Sequence, residues 1–360
     1  MKAPVFDLHC DAILKAVHKK VRLLDDNPVS QVDVPKMRRG DVDGVFLSLW
    51  ADPVFKGPDS VKRTSFMLDR ALKEIEHAGE HMRLALRGAD LAASTDAGRI
   101  VALLGIEGGP SIDGRLANLE EFHRRGVRRM TLVCTQSTDW AGSTGDDGRN
   151  RGLSALGKDI VQAMNELGMA VDVAHSCERT LLDAAKISRK PIICSHSLSR
   201  AVVRSERLAS DEMICAVKAT GGVFGITFLP TLFAGEIAAR MSGEVEEMGR
   251  RMNAGGAGET LEEKADDTAR ILMDSPAPAE IPHIRDVLPH VDHVIDLIGE
   301  DHVGIGTDYD SMSFAPRGLE DVSRFDTLRQ AMSRHGYGDE RIRKILGGNV
   351  RRVLPRILPR

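Results

Sequence analysis

The sequence contains few cysteines, and they show no sign of pairing. The five cysteines lie at positions 10, 134, 177, 194 and 215, form no Cys-x-x-Cys motif and leave an odd number. This pattern argues against a disulfide framework and is typical of a reducing compartment. The first residues, MKAPVFDLH, also lack the order of charged, apolar and small residues that marks a signal peptide. We therefore expect a cytoplasmic protein.

The sequence also lacks an excess of charge of either sign and any long apolar run. Lys and Arg number 49 against 53 Asp and Glu, and neither sign forms a long block. A nucleic-acid-binding stripe or a membrane-binding tail would need such a block. No apolar stretch approaches the ~20 residues that span a bilayer. We predict that neither nucleic acid nor a membrane is a partner.

The sequence does contain short apolar runs that alternate with amphipathic stretches. The eight runs are VFDLH (5–9), VDGVFLSLW (42–50), IVALLGIEGG (100–109), VRRMTLV (127–133), MAVDVAH (169–175), PIICSHS (191–197), GGVFGITFL (221–229) and HVGIGTDYD (302–310). Several are nearly continuous in Val, Ile, Leu and Ala, as parallel strands covered on both faces are. Between them, SALGKDIVQAMNELG aligns Leu156, Ile160, Met164 and Leu167 on one helical face.

This alternation predicts the fold class. Eight βα units favour a (β/α)8 TIM-like barrel over a doubly wound sheet, because such a barrel needs ~250 residues and leaves the remainder for insertions. We expect one hydrolase-type barrel domain over residues 1–360. Helical insertions are predicted after strand two, at 51–99, and after strand seven, at 234–283, where MNAGGAGETLEEKADD separates two helices.

Polar residues follow these strands at their carboxyl ends. They are His9 and Asp11 after strand one, Glu107 after three, Cys134 after four, His175 after five, His196 after six and Asp308 after eight. The carboxyl ends of the strands of a (β/α)8 barrel carry its active site, because they converge on one face. We therefore expect these side chains to lie close together.

Five of these residues have the chemistry of a metal site. His9 and Asp11 are two positions apart and point the same way from an extended chain. Glu107 lies in LLGIEGG, where a buried carboxylate is costly unless a cation or donors meet it. His175 and His196 end neighbouring strands ~4.8 Å apart. Singly, the histidines could be hydrogen-bonded core residues, and Glu107 could cap a helix or pair with an Arg. Jointly, the five residues favour two divalent ions bridged by a carboxylate.

The stretches that carry these residues resemble the membrane (renal) dipeptidase family, zinc-dependent peptidases of the amidohydrolase-like barrel superfamily. The matching stretches are DLHCDAI, GIEGG, GVRRMTLVCTQSTDWAGS, LGMAVDVAHS, PIICSHSLSRAV, GGVFGITFLP, HVGIGTDYDSM and GGNVRRVL, in order over essentially the whole chain. The resemblance implies one Zn²⁺ on His9, Asp11 and Glu107, a second on Glu107, His175 and His196, and a hydroxide between them. It also implies a homodimer.

The resemblance further implies a substrate and a mechanism. Asp308, in GTDYD, matches the family's acid/base residue, and Arg207 matches the arginine that holds the substrate's C-terminal carboxylate. The implied reaction is hydrolysis of dipeptides, with tolerance of a D-residue at the second position. The hydroxide attacks the peptide carbonyl and Asp308 relays the proton to the leaving nitrogen.

The sequence departs from the family pattern near the substrate. Cys134 stands where the family carries a histidine that contacts the substrate carbonyl, and a thiol is a poor donor by comparison. Leu208 replaces a common Asn, Asp139 a usual proline, and Tyr309 and Ser311 vary the residues that follow the acid. These changes leave the metal ligands intact and weaken the assignment of the substrate.

Three alternatives therefore stay open. The same metal site could hydrolyse another amide or ester, such as an N-acyl amino acid or a lactone, as Cys134 and Leu208 favour. The chain could be a catalytically silent metal-binding protein, although the presence of Asp308 and every ligand argues against this. Cys134 itself could be a small apolar filler, a metal ligand or a nucleophile.

Overall fold

The computed structural model describes residues 4–96, 98–233, 260–278 and 280–360. Nine short parallel strands occur within these residues, and each of the eight apolar runs overlaps one of them. The strands are β1 Val5–Cys10, β2 Val42–Trp50, β3 Met82–Leu84, β4 Ile100–Glu107, β5 Val127–Thr131, β6 Ala170–Asp172, β7 Ile193–Ser197, β8 Val223–Ile226 and β9 Val303–Ile305.

Eight of these described strands close into a barrel. They follow the order β2-β1-β9-β8-β7-β6-β5-β4, and β4 pairs in parallel with β2 to complete the ring. The closing register runs from Gly44 opposite Val101 to Trp50 opposite Glu107. The predicted (β/α)8 barrel is thus confirmed, and its closure sets a tryptophan beside the glutamate expected at the metal site.

Strand β3 was not predicted from the sequence. It lies within the region 51–99, for which only helix was expected, and pairs with the first three residues of β4 outside the ring. Three residues are too few to display the alternation by which a strand is recognised in a sequence.

Helices surround the barrel and account for most of the described residues of the two insertions. In the described residues the α-helices are α1 Ala12–His18, α2 Val34–Arg39, α3 Pro58–Ala78, α4 Gly88–Asp96, α5 Leu116–Arg124, α6 Ala155–Leu167, α7 Glu178–Ile187, α8 Asp211–Ala219, α9 Pro230–Phe233, α10 Leu261–Asp274, α11 Leu288–Ile298, α12 Phe325–Arg334, α13 Asp339–Arg343 and α14 Asn349–Ile357. None of these described helices combines the length and apolar character needed to cross a bilayer. The predicted helix break at 252–267 begins outside the described residues, which resume with α10.

Helix α6 shows how the local sequence sets the helix ends. The Ser154 hydroxyl accepts a hydrogen bond from the Gly157 amide at the start, and Gly168 ends the helix at φ 78°. Ile160 and Met164 are fully buried, as the apolar stripe predicted. Leu156, expected on the same stripe, is 37% exposed and borders a cavity at the barrel mouth.

The last helix packs against the barrel. Val353 and Leu354 of α14 share an apolar cluster with Phe6, Leu8 and Phe46 of β1 and β2. Burial of such side chains stabilises the fold by about 25 cal/mol per Å² of apolar surface removed from water. The strand that carries His9 is therefore held by a contiguous core.

Candidate metal centre

The strand ends bring the sequence-predicted residues together at the mouth of the barrel. His9 lies in β1, and its Nε2 atom is 3.3 Å from Asp11 Oδ2 and 3.4 Å from Glu107 Oε2. The same nitrogen is 3.5 Å from Oδ1 of Asp308, which follows β9. One buried imidazole nitrogen is thus surrounded by three carboxylates from different segments of the chain.

A second group lies on the other side of Glu107. The Oε1 atom of Glu107 is 3.1 Å from His175 Nε2 and 3.8 Å from His196 Nε2, and the two histidine nitrogens are 2.9 Å apart. The two oxygens of one carboxylate therefore face two different sets of side chains. This is the arrangement expected of a carboxylate that bridges two ions.

The residues present fit divalent cations. The Nε2 atom of His9 and the Oδ1 atom of Asp11 are buried without a hydrogen-bond partner, a state that is costly unless another group satisfies them. Three sets of side chains have ligand atoms within 4.8 Å of one another: His9 with Asp11 and Glu107; Glu107 with His175 and His196; and His9 with His196 and Asp308. Imidazole and carboxylate ligands of this kind suit zinc and similar ions.

The electrostatics of the cluster reflect burial and mutual charge. Burial raises the pKa of Asp11 to about 7. Burial opposes ionisation of Glu107, but His9 and His175 outweigh it and hold the pKa of Glu107 well below its usual range. Burial lowers the pKa of both His175 and His196, which keeps their imidazoles neutral, as metal ligation requires.

Backbone geometry helps to aim two of these side chains. His175 and Asp308 adopt left-handed φ values of 62° and 66°, which non-glycine residues rarely do. Their backbones are held in place because the Thr144 amide donates to the His175 carbonyl at 2.9 Å and the Asp308 amide donates to the His9 carbonyl at 3.0 Å. Such conformations cluster at functional sites, where the surroundings compensate for the strain.

Arg207 and Cys134 also reach this cluster. Nη2 of Arg207 lies 3.1 Å from His175 Nε2 and donates to the His196 carbonyl at 3.3 Å. Sγ of Cys134 lies 3.4 Å from Glu107 Oε1 and 4.0 Å from His175 Nε2. Burial, together with Glu107, raises the pKa of the Cys134 thiol well above its ordinary value. Cys134 therefore faces the site as a neutral thiol.

A cavity of about 370 Å³ opens beside Glu107 and Cys134. Both tryptophans of the chain, Trp50 and Trp140, line it together with Phe55. Its mixed apolar and polar wall is typical of a small-molecule site.

The other departures from the family pattern have structural roles or lie on the surface. Leu208 is fully buried, and the buried Tyr309 donates its hydroxyl to the Leu319 carbonyl at 2.6 Å. Ser311 Oγ donates to the carboxylate of Asp308 at 3.2 Å. Asp139 is exposed at the edge of the cavity.

The charged residues that lie directly behind the candidate ligands were not predicted from the sequence. Arg129 and Asp172 are fully buried, and Arg129 contacts His9, whereas Asp172 reaches His196 through Ser195. A signal was present, because each interrupts an apolar strand run, VRRMTLV or MAVDVAH, with a charge. A charge inside such a run is expensive unless it is paired, and this could have identified both residues.

A (β/α)8 barrel with histidines and carboxylates gathered at the carboxyl ends of its strands is the architecture of a metal-dependent hydrolase. The comparison with known families agrees. The family model for membrane dipeptidases, peptidase family M19, matches residues 1–358. The chain therefore belongs to this family and is a metal-dependent dipeptidase.

Named relatives support this membership, and a solved structure shares the fold. The chain is 30% identical to dipeptidase verJ of Clonostachys rogersoniana over 341 residues, covering 91% of this chain and 76% of verJ. It is 31% identical to dipeptidase ataJ of Aspergillus terreus, covering 93% of this chain and 78% of ataJ. A metallopeptidase from Rhodobacter sphaeroides, solved with a phosphinate mimic of the dipeptide L-Ala-D-Ala, shares the fold with a TM-score of 0.80 at 22% identity, covering 99% of this chain and 100% of that one.

Proposed function

We propose that this protein is a two-zinc dipeptidase that hydrolyses dipeptides, including those with a D-residue at the second position. One observation carries the proposal: the two oxygens of Glu107 face separate histidine groups, His9 on one side and His175 with His196 on the other. Membership of the dipeptidase family and the dipeptide mimic bound to the Rhodobacter sphaeroides neighbour support the choice of substrate.

The five ligands divide into two sets that share Glu107. His9 and Asp11 would hold one ion and His175 and His196 the other, and the buried, unpartnered Nε2 of His9 and Oδ1 of Asp11 support this division. Zinc held by these residues would supply a Lewis acid and a water of lowered pKa.

Asp308 is the proposed proton carrier. Its carboxylate lies at the barrel mouth 3.5 Å from His9 Nε2, and the Ser311 hydroxyl donates to it at 3.2 Å. In this position it takes a proton from the attacking water and delivers it to the leaving amide nitrogen. General acid–base catalysis of this kind contributes about 10²- to 10⁴-fold in rate.

Arg207 is the proposed anchor for the substrate's C-terminal carboxylate. Its guanidinium lies against His175 and the His196 carbonyl, at the edge of the metal cluster. Because Arg presents only donors in a planar fork, a carboxylate is its natural partner. Binding at this point would place the peptide carbonyl near Glu107 and Cys134.

Cys134 favours a second candidate function on the same site. The thiol donates poorly, so the developing negative charge on the carbonyl oxygen would lack the support that an imidazole gives. A substrate that depends less on this donor, such as an N-acyl amino acid or a lactone, is the alternative.

We further propose that the protein is a cytoplasmic homodimer, as the free cysteines and the family resemblance suggest.

The test is kcat/KM of the zinc-loaded protein with L-Xaa-L-Xaa and L-Xaa-D-Xaa dipeptides, N-acetyl amino acids and a lactone, with Asp308→Asn as the blank. Efficient cleavage of dipeptides that depends on Asp308 is the expected result. Cleavage of the N-acyl amino acids or the lactone alone would replace the proposal with the alternative.

A further inference from the structure

The described wall of the cavity beside Glu107 does not include Arg207, the proposed anchor for the substrate's carboxylate. It does include Glu107 and Cys134, near which the peptide carbonyl is proposed to lie. A dipeptide has only two residues. With its C-terminal carboxylate on Arg207 and its carbonyl at Glu107, the first residue is therefore the part of the substrate that enters the cavity.

Three aromatic side chains in this wall are held in place by the surrounding protein. Trp50 ends β2, whose backbone pairs with β4 up to this residue. The indole of Trp140 lies on the backbone of Gly109, where a Cβ atom would come within 2.3 Å of the Trp140 Cζ2 atom. The centre of the Phe55 ring lies 5.3 Å from the guanidinium carbon of Arg63. All three aromatic residues are at most 6% exposed, so the aromatic wall is formed before a ligand binds.

Leu156 adds an exposed apolar side chain to the same wall. It lies in the first turn of α6, is 37% exposed and lines the cavity, whereas Ile160 and Met164 of the same stripe are buried. The Ser154 amide donates to the Trp140 carbonyl at 3.0 Å, which joins the start of α6 to the loop that carries this tryptophan. An apolar group bound in the cavity would cover Leu156 and remove its surface from water.

The size and the charge of the cavity suit an uncharged ring. Its volume is about 370 Å³, and an apolar cavity of about 150 Å³ is enough for a benzene ring. Among the described wall residues outside the metal cluster, Lys56 is the one cation, against the two carboxylates of Asp113 and Asp139. A first side chain with a negative charge would therefore be repelled, whereas an aromatic side chain packs favourably against other rings.

We propose that this cavity binds the side chain of the substrate's first residue and that the protein prefers dipeptides in which this residue is aromatic. Trp50, Phe55 and Trp140 form the wall against which the ring packs, and Leu156 is a specificity-determining residue at its exposed side. The inference rests on the dipeptidase activity of the proposed function and names the class of dipeptide.

The test is kcat/KM of the zinc-loaded protein with Phe-Ala, Leu-Ala, Ala-Ala, Glu-Ala and Lys-Ala, all built from L-residues. Phe-Ala should be cleaved best and should exceed Ala-Ala by about tenfold or more, because even one methylene group in an apolar pocket changes kcat/KM by about 10- to 200-fold. Ala-Phe is the matched substrate, since it has the same composition and carries its ring on the second residue.

Substitutions of Leu156 test the cavity itself. Leu156→Ser should lower the ratio of kcat/KM for Phe-Ala to that for Ala-Phe by about threefold or more, because the ring loses an apolar contact. Leu156→Met keeps the apolar surface and should preserve the ratio. Leu86→Ser is the matched control, since Leu86 is also 37% exposed but lies between β3 and α4, off the cavity wall. Both substrates are measured on the same variant, so a partial loss of folded protein cancels from the ratio.

The outcomes separate this inference from the proposed function. Cleavage of another dipeptide of the panel as well as or better than Phe-Ala, or an unchanged ratio in Leu156→Ser, would overturn the aromatic preference and leave the dipeptidase standing. If the zinc-loaded protein cleaves no dipeptide of the panel, the proposed function fails and this inference fails with it.

Discussion

Nε2 of His9 lies 3.4 Å from Oε2 of Glu107, although the strands that carry them, β1 and β4, are separated in the barrel by β2. The second oxygen of the same carboxylate lies 3.1 Å from His175 Nε2. Glu107 is therefore the point at which both sets of candidate ligands meet, and every prediction about the centre depends on this geometry.

Replacing Asp308 with Asn should abolish most turnover and leave the zinc content unchanged. The amide keeps the shape of the side chain and loses the ability to carry a proton, so kcat/KM should fall by about 10²-fold or more. Asp139→Asn is the matched control, because Asp139 is an exposed carboxylate at the same cavity. If Asp308→Asn retains its turnover, Asp308 has no part in the mechanism.

Replacing Asp11 with Asn or His196 with Ala should lower the zinc content, measured by inductively coupled plasma mass spectrometry. Each change removes one ligand from one of the two sets. His293→Ala is the control, because His293 pairs with Asp211 at the surface, with 2.8 Å between His293 Nε2 and Asp211 Oδ1, and should leave the zinc content unchanged. Full zinc occupancy in the ligand variants would show that the ions bind elsewhere.

Replacing Cys134 with His should raise the turnover of dipeptides. The imidazole supplies a strong donor beside Glu107, and one such donor is worth about 10²-fold in rate. Cys134→Ala separates this effect from a simple change of volume and should bring no gain. No gain with histidine would indicate a pocket adapted to a different substrate.

Replacing Arg207 with Met should raise KM for dipeptides by about tenfold or more, because a charge-assisted hydrogen bond contributes about 1.5–3 kcal/mol. The KM for dipeptide amides, which lack the C-terminal carboxylate, should change little. Arg204→Met is the control, since Arg204 is an exposed arginine of the same loop. If KM rises equally for dipeptides and for dipeptide amides, Arg207 does not bind the substrate's carboxylate.

The metal-free protein should lose stability as the pH falls from about 6.5 to about 4, partly through His290. Burial lowers the pKa of His290 from 6.5 to about 4, so in this window the unfolded chain binds a proton that the folded chain does not. The linked loss is about 3 kcal/mol at most. Urea midpoints of His290→Gln should depend less on pH than those of the native sequence. Identical pH dependence would contradict this assignment.

The barrel strands and the clustering of the candidate ligands could be predicted from the sequence for physical reasons. Each barrel strand is an apolar run long enough to be seen, and each candidate ligand is a polar residue at or near the carboxyl end of a run. Strand β3, with three residues, carries no such pattern. The contact of Arg129 with His9 depends on which interior side chains meet across the closed barrel, and this is set by strand register rather than by neighbours in the sequence.

An anomalous difference map, collected at the zinc absorption edge from crystals of the zinc-loaded protein, would show directly whether two ions bind at Glu107. Two peaks are expected on opposite sides of the Glu107 carboxylate, one within about 2.2 Å of His9 and Asp11 ligand atoms and one equally close to His175 and His196. A single peak, or peaks away from Glu107, would contradict the two-ion centre.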